Sequence, residues 1–438
     1  MRDLAVLTFI GVGLLASLVN AFTSVLFYWW VAIFRPQDYV WGDIDFLRIS
    51  LVAGVIVVVG CLVRGILPKV RGTTGVALIA IVILTAVATY TNGCSFSLTW
   101  LDHVARLTLI LLITDRFLSS PERVTQLLAV IAISLLFYAG KAGLAAILAG
   151  GASQLGISNL SGTFTGSNAF ALGTAVAIFF ALATIPYSSA LLGRFATPKL
   201  SRWYALGVYV VCGLGAFNVL SLGSRGATLA MFVGILLFVM SRPGGGAFLL
   251  KLTPFALIAV LIVPLPEGFE ERITSAFSEE EERDKSAASR PHFWGIAVRM
   301  ADAHPMGVGP QCYNSYYDSF DDSGGFFGRN RSVHSAHFQM LAEWGYLGAL
   351  IWIFLIVTSV GQCLAIKRRS RSTLISKGEG EKMAFVATCM GCALVVYVLG
   401  GMFYAVALME LVWVVFIAVN ALNQWSKQAI TSDMSVGK

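Results

Sequence analysis

"AFALGTAVAIFFALATIP", Ala169 to Pro186, runs for 18 residues without a charged side chain. A helix of that length reaches about 27 Å, close to the ~30 Å of hydrocarbon in a bilayer. Further apolar runs read as helices at Leu47–Leu62, Val76–Thr91, Val104–Ile113, Val124–Leu148, Tyr204–Leu222, Ala227–Met240, Ala247–Leu265, Tyr346–Ile366, Ala384–Gly400 and Tyr404–Leu422. Leu4–Phe34 is one long crossing or two short helices, with a break near Asn20. Only helices and closed barrels satisfy their backbone in lipid, and runs this long are not barrel strands. The composition agrees: 57% of the 438 residues are hydrophobic and 13% charged, against roughly 25% charged in soluble domains. The sequence therefore predicts an all-α polytopic membrane protein with about twelve transmembrane helices. Met1-Arg2-Asp3 leads straight into apolar sequence with no small-residue cleavage site, so no separate signal peptide is expected.

The net charge of +7 does not point to nucleic acid, because the basic residues sit in short loops between spans rather than among aromatics on a soluble surface. Arg64/Lys69/Arg71, Arg116/Arg123, Arg194/Lys199/Arg202, Arg242 and Lys367/Arg368/Arg369/Arg371 fall in alternate loops, which the positive-inside rule assigns to the cytoplasm. The other loops then face outward. The expected organisation is transmembrane helices over residues 1–266, one large periplasmic loop over 267–345, further spans over 346–422 and a cytoplasmic tail over 423–438. The large loop opens with an acidic run, read as a solvated face. It continues with Phe293, Trp294, Ile296, Ala297 and Met300 at helical spacing, an amphipathic helix expected to lie on the membrane surface. His292 and His304 read as solvated. Of the seven cysteines, five lie inside apolar runs and read as packing residues, the Cys389-x-x-Cys392 pair included. Cys94 and Cys312 lie in loops and could pair.

Basic residues gather where the positive-inside rule makes them scarce. Arg225 sits in a tight turn between two spans, Lys141 interrupts the Val124–Leu148 run toward its outer side, and Arg106 follows His103 by one turn. Arg290 and Arg299 lie on the loop helix, and Arg329 and Arg331 precede two histidines. A charge within hydrocarbon costs at least ~2.5 kcal/mol unless it finds water or a partner, so Lys141 is a functional candidate; snorkelling and pairing with an acid are the competing readings. Together these bases describe an outward-facing anion site suited to a lipid pyrophosphate, for which the forked guanidinium of arginine is well matched. His334 and His337 stand beside it at i and i+3, sharing a face if helical, and imidazole suits general base catalysis near neutral pH. A metal pair and a pair of hydrogen-bonded interfacial histidines are the alternatives. Glu343, nine positions beyond His334, is too far along one helix to complete a metal site. Glu410 is an intramembrane acid without an assigned role.

From His334 the chain reads H-S-A-H-F-Q-M-L-A-E-W-G-Y-L-G. This resembles the H-[NS]-x-x-[LF]-Q-x-L-x-E-x-G-x-x-G segment of the O-antigen ligase and polymerase superfamily. "SRGA" at Ser224–Ala227 is similar to the family's arginine turn, and "RPHFWGIAVRMADAHPMGVGP" resembles its loop pattern, which singles out Arg290 and Trp294. "GKAGLAAILAGG" followed by "SGTFTGSNAFALG", together with the opening "MRDL", is similar to a subset described as O-glycosylation ligases. The resemblance covers Lys141 to Gly348. It implies a GT-C type glycosyltransferase of the bacterial inner membrane that needs no metal or nucleotide. The implied donor is a glycan on undecaprenyl pyrophosphate and the implied acceptor a sugar hydroxyl of lipid A–core. Position by position, His334 takes the family histidine and Arg225 and Arg290 its two arginines, with His337 kept open as the base. Lys141, Arg106, Trp294 and Arg299 are the expected substrate-binding residues. An O-antigen polymerase and a protein O-glycosylation ligase use the same donor. A lipid-linked glycan transporter, the reading from another class, predicts repeated halves that the sequence does not display.

Overall fold

The computed structural model describes residues 2–42, 44–149, 162–242, 244–246, 289–372 and 375–436. Regular structure among the described residues is entirely helical. The main helices of the first part are α1 (Arg2–Val19), α2 (Ala21–Phe34), α3 (Ile49–Val63), α4 (Gly72–Asn92), α5 (Ser97–Phe117), α6 (Pro121–Leu148), α7 (Ser167–Thr184), α8 (Pro198–Ser221) and α9 (Arg225–Met240). There follow α10 (Arg290–Ala303), α11 (Tyr313–Phe320), α12 (Ala336–Arg369), α13 (Lys377–Gly401) and α14 (Glu410–Val436). Among the described residues, eight helical stretches are long and apolar enough to cross a membrane, and α2, α3 and α9 are apolar but shorter. The chain is a multi-pass membrane protein. The helix expected at Ala247–Leu265 and the acidic start of the large loop lie outside the described residues.

Asn20 settles the N-terminal alternative. Its side chain accepts from the Phe22 and Thr23 N–H groups at 2.8 and 3.2 Å and caps α2, satisfying donors that a helix start leaves open. The chain reverses there, so α1 lies back along α2 with Gly13 against the Phe27 ring. Leu4–Phe34 is two short helices. At the centre of the bundle is the stretch that opened the sequence reading: Phe170, Val176, Phe179 and Phe180 of α7 are fully buried, as suits a helix apolar on every side.

The two ends of the bundle differ in chemistry. At one end Arg71 pairs with Asp115 at 3.2 Å, Asn420 donates to the Arg71 carbonyl, Arg369 donates to Asn423, and Arg242 lies over Phe385. At the other end residues 289–335 form a cap. It is tied down by a Cys94–Cys312 disulfide, by Asn92 donating to the Gly307 carbonyl and by Tyr316 donating to the Asn92 carbonyl.

Within the cap, α10 departs from its expected place on the membrane surface. Phe293, Ile296, Ala297 and Met300 are buried against Cys312, Tyr313, Tyr317, Val333 and Ala342. Its apolar stripe is consumed by protein, so little remains to face lipid. The cap docks on α12 through a break in that helix at Gly345 (φ 67°, ψ −169°). The interruption frees carbonyls, and the Val308 and Gly309 N–H groups donate to those of Ala342 and Glu343 at 3.0 and 3.1 Å.

Candidate active site

The site begins where the cap re-enters the bundle. Ser335 is the N-cap of α12, its side chain accepting from the Phe338 N–H. His334 therefore precedes the helix, and its backbone is left-handed at φ 47°. A non-glycine residue there costs on the order of 1–3 kcal/mol. This geometry turns the His334 ring away from the helix axis and against Phe293, at 5.8 Å between ring centres. His334 and His337 do not share a helix face.

Two guanidinium groups frame that imidazole. Arg331 lies over the Phe293 ring at 5.7 Å. Arg290, the first residue of α10, lies over Phe403 at 5.3 Å, and its Nε is buried without a hydrogen-bond partner. Burial first, then the charges of Arg290 and Arg331, push the His334 pKa below the ordinary histidine value. Its ring nitrogens make no hydrogen bond to a described residue. The result is a neutral imidazole with an available lone pair beside fixed positive charge.

The turn that carries Arg225 packs on the same aromatic residues from another element. Arg225 begins α9, and the preceding Ser224 hydroxyl is 2.6 Å from that of Tyr404. A Cβ on Gly226 would stand 2.6 Å from the Phe403 ring, so only glycine lets the turn approach so closely. Phe403 and Tyr404 thus join the arginine turn to the start of α10. Trp294 stacks on Phe338 with centres 5.1 Å apart and planes 7° from parallel, and its indole N–H is buried without a partner.

His337 has a different place. The Trp352 indole donates to its Nδ1 at 2.9 Å, and its Nε2 is 2.9 Å from the Val398 carbonyl. An indole N–H only donates. Nδ1 is thus the acceptor, and Nε2 carries the proton and donates to Val398. Both nitrogens are engaged, Nδ1 within α12 and Nε2 in a bond to α13, leaving none for a substrate proton. The sequence reading favoured His334 and kept His337 open as the base; the partners of His337 speak against it in that role.

The remaining candidates lie apart from this cluster. Arg299 donates to the Phe320 carbonyl and pairs with Asp322 at 3.0 Å, bracing the cap. Lys141 is exposed on α6 with its ammonium over Tyr39. Arg106 pairs with Asp102 and lines a separate cavity with Arg35, Arg48 and Glu410. His292, expected to be solvated, is 2.8 Å from Asp321 and packs on Phe327. The Asp321 carboxylate also accepts from the Ser323 hydroxyl and the Ser323 and Gly325 N–H groups. These bonds, the Ser323 hydroxyl first, hold its pKa well below the usual carboxylate range. His292, Asp321 and Asp322 are close enough to hold a cation, but Arg299 and these donors already balance the two carboxylates.

The sequence reading counted Arg331 among the bases of the anion site without giving it a role of its own, and passed over Phe403 and Tyr404. The signal for Arg331 was its position three residues before His334; nothing local marked the other two, which act from a distant turn.

Residues 209–353 match the family described as O-Antigen ligase. Residues 1–190 match a family of unknown function (DUF5935). No curated protein matches the chain. The first match contains Arg225, Arg290 and His334: Arg290 lies over Phe403, His334 packs on Phe293, and Arg225 belongs to the turn whose Gly226 packs on Phe403. By that match residues 209–353 carry a domain of the O-antigen ligase/polymerase superfamily.

Proposed function

We propose that this protein transfers O-antigen glycan from undecaprenyl pyrophosphate to a sugar hydroxyl of lipid A–core, at the periplasmic face of the bacterial inner membrane. The observation that carries the mechanism is the His334 imidazole, without a hydrogen-bond partner among the described residues and beside the charges of Arg290 and Arg331, while both nitrogens of His337 are engaged.

His334 takes the proton of the acceptor hydroxyl as its oxygen attacks the anomeric carbon. The bond from that carbon to the phosphate oxygen breaks, and its electron pair leaves with the pyrophosphate. A single displacement inverts the anomeric centre. Negative charge grows on the leaving phosphate, and Arg225, Arg290 and Arg331 stabilise it more in the transition state than in the ground state. Arg290 and Arg331 serve a second purpose: with burial, they disfavour protonation of His334, keeping it a base at neutral pH.

The Cys94–Cys312 disulfide supports the assignment of the cap to the periplasm, because such bonds persist in oxidising compartments. The stacked Trp294–Phe338 pair supports a glycan path beside the imidazole.

The test is reconstitution of purified protein with lipid-linked glycan, with and without lipid A–core. A ligase forms glycosylated lipid A–core only when both are present. Longer donor chains without the core would mark a polymerase, and movement of donor across the bilayer without product would mark a transporter; either result contradicts the proposal.

A further inference from the structure

A cavity of about 610 Å³ lies between α2, α3 and α5. Its cap-side mouth is cationic: Arg35, Arg48 and Arg106 line it, and among the described residues Glu410 is the one acid on its wall. Asp38 and Asp102, which pair with Arg35 and Arg106, do not line the cavity. Glu410 accepts from the Thr163 hydroxyl. Gln37 and His103 also line this space, and each has a buried atom without a hydrogen-bond partner among the described residues, Oε1 and Nε2 respectively. Below the charges the wall is apolar. Leu51, Val55 and Val59 of α3 and Leu109 of α5 line it, and all four are substantially exposed on the flank of the bundle.

The arrangement is that of an amphiphile site. From Arg48 to Val59 a helix rises about 16 Å, roughly half of a ~30 Å hydrocarbon layer. A ligand with its head at the arginines would lay its chain along one leaflet. Guanidinium groups select phosphate oxygens by charge and by paired hydrogen bonds. Buried amide and imidazole atoms left without partners are costly unless a ligand or water satisfies them. None of these residues takes part in the His334 cluster.

We infer that this cavity binds the phosphate headgroup and proximal chain of an anionic membrane lipid, at a site separate from the His334–Arg290 cluster. The shared chemistry is a phosphate ester on a long hydrocarbon; a polyprenyl phosphate and a glycerophospholipid are its two sources. The site does not depend on the proposed transfer reaction.

The test uses the delipidated full-length protein in a non-ionic detergent, titrated by native mass spectrometry. The probes are undecaprenyl phosphate and phosphatidylglycerol, with undecaprenol and diacylglycerol as uncharged counterparts. At least one phosphate-bearing probe should bind with defined stoichiometry and outcompete its uncharged counterpart, and the tighter of the two identifies the source. Arg48→Gln with Arg106→Gln should weaken that binding about tenfold or more. Val55→Trp, which fills the apolar wall and keeps the charges, should weaken it as well. The loss should be as large when the arginine pair is added to Arg290→Ala, a variant that weakens binding at the His334 cluster. Uncharged probes binding equally well, retained affinity in the arginine pair and in Val55→Trp, or no further loss when the pair is added to Arg290→Ala would overturn the inference.

Discussion

At the scale of single residues, the two histidines of the 334–337 stretch are separated by their partners. His334 has no hydrogen-bonding partner among the described residues and two cations nearby; His337 has a donor on one nitrogen and an acceptor on the other. Protonation of His334 removes the base, so the transfer rate should fall as pH drops through its pKa. Because that pKa is lowered, the acid limb of the rate profile belongs below the ordinary histidine value of about 6.5. Arg331→Gln removes one cause of the lowering and should move the limb upward, which a pH series of single-turnover rates would measure; an unmoved limb contradicts the role given to Arg331. Trp352→Phe strips the donor from the buried His337 Nδ1. It should cost about 1–3 kcal/mol of stability, seen as a lower melting temperature, and leave the acid limb in place. The identity of the base was only partly legible in the sequence. The i, i+3 spacing puts both imidazoles on one face only if the helix includes residue 334. Ser335 caps the helix after it, and the bond that fixes the proton on His337 ends at Val398, 61 residues away.

At the scale of elements, the cap meets the bundle through two glycine-dependent contacts. A Cβ on Gly345 would lie 2.0 Å from the Pro305 carbonyl oxygen, and one on Gly307 would lie 2.3 Å from that of Glu343; both residues are left-handed, at φ +67° and +89°. Gly345→Ala and Gly307→Ala should each misplace the cap relative to α12. The backbone conformation alone costs on the order of 1–3 kcal/mol, and the clash adds to it. Limited proteolysis would show new cleavage between residues 289 and 335, with transfer lost in parallel; variants with unchanged digestion patterns would contradict this picture. The spans themselves were legible because apolar length is a direct signal. Their ends were less legible: α5, expected at Val104–Ile113, is found at Ser97–Phe117, α12 begins at Ala336 rather than Tyr346, and α14 spans Glu410–Val436 rather than Tyr404–Leu422. Asp102, His103 and Arg106 interrupt the hydropathy of the first turns of α5 but not its backbone hydrogen bonding, and His103 and Arg106 line the cavity beside it. The amphipathic pattern of α10 was also legible. What it packs against was not, because a buried stripe looks the same whether lipid or protein covers it.

At the scale of the whole molecule, opposite ends of the bundle carry the basic loops and the disulfide-tied cap. Cys94 and Cys312 are 218 positions apart in sequence, so their bond constrains a long loop, and removing such a bond typically costs about 2–5 kcal/mol. Protein from the native membrane should run faster on a non-reducing gel than after reduction, and Cys94→Ser should abolish the difference. An unshifted wild-type band would contradict both the pairing and the oxidising location of the cap. Loop charges gave the alternation of the two ends, but no local pattern joined these two cysteines or brought Phe403 to both Arg290 and Gly226. Such contacts come from packing between distant helices.

The most direct test of the mechanism compares single-turnover glycan transfer by wild-type, His334→Ala and His337→Ala proteins, each normalised to the folded fraction. His334→Ala should lose about 10²–10⁴-fold in rate and still insert and bind donor, while His337→Ala should lose stability and retain most of its rate per folded molecule. Full transfer by His334→Ala, with the loss falling instead on folded His337→Ala, would contradict the assignment of the base.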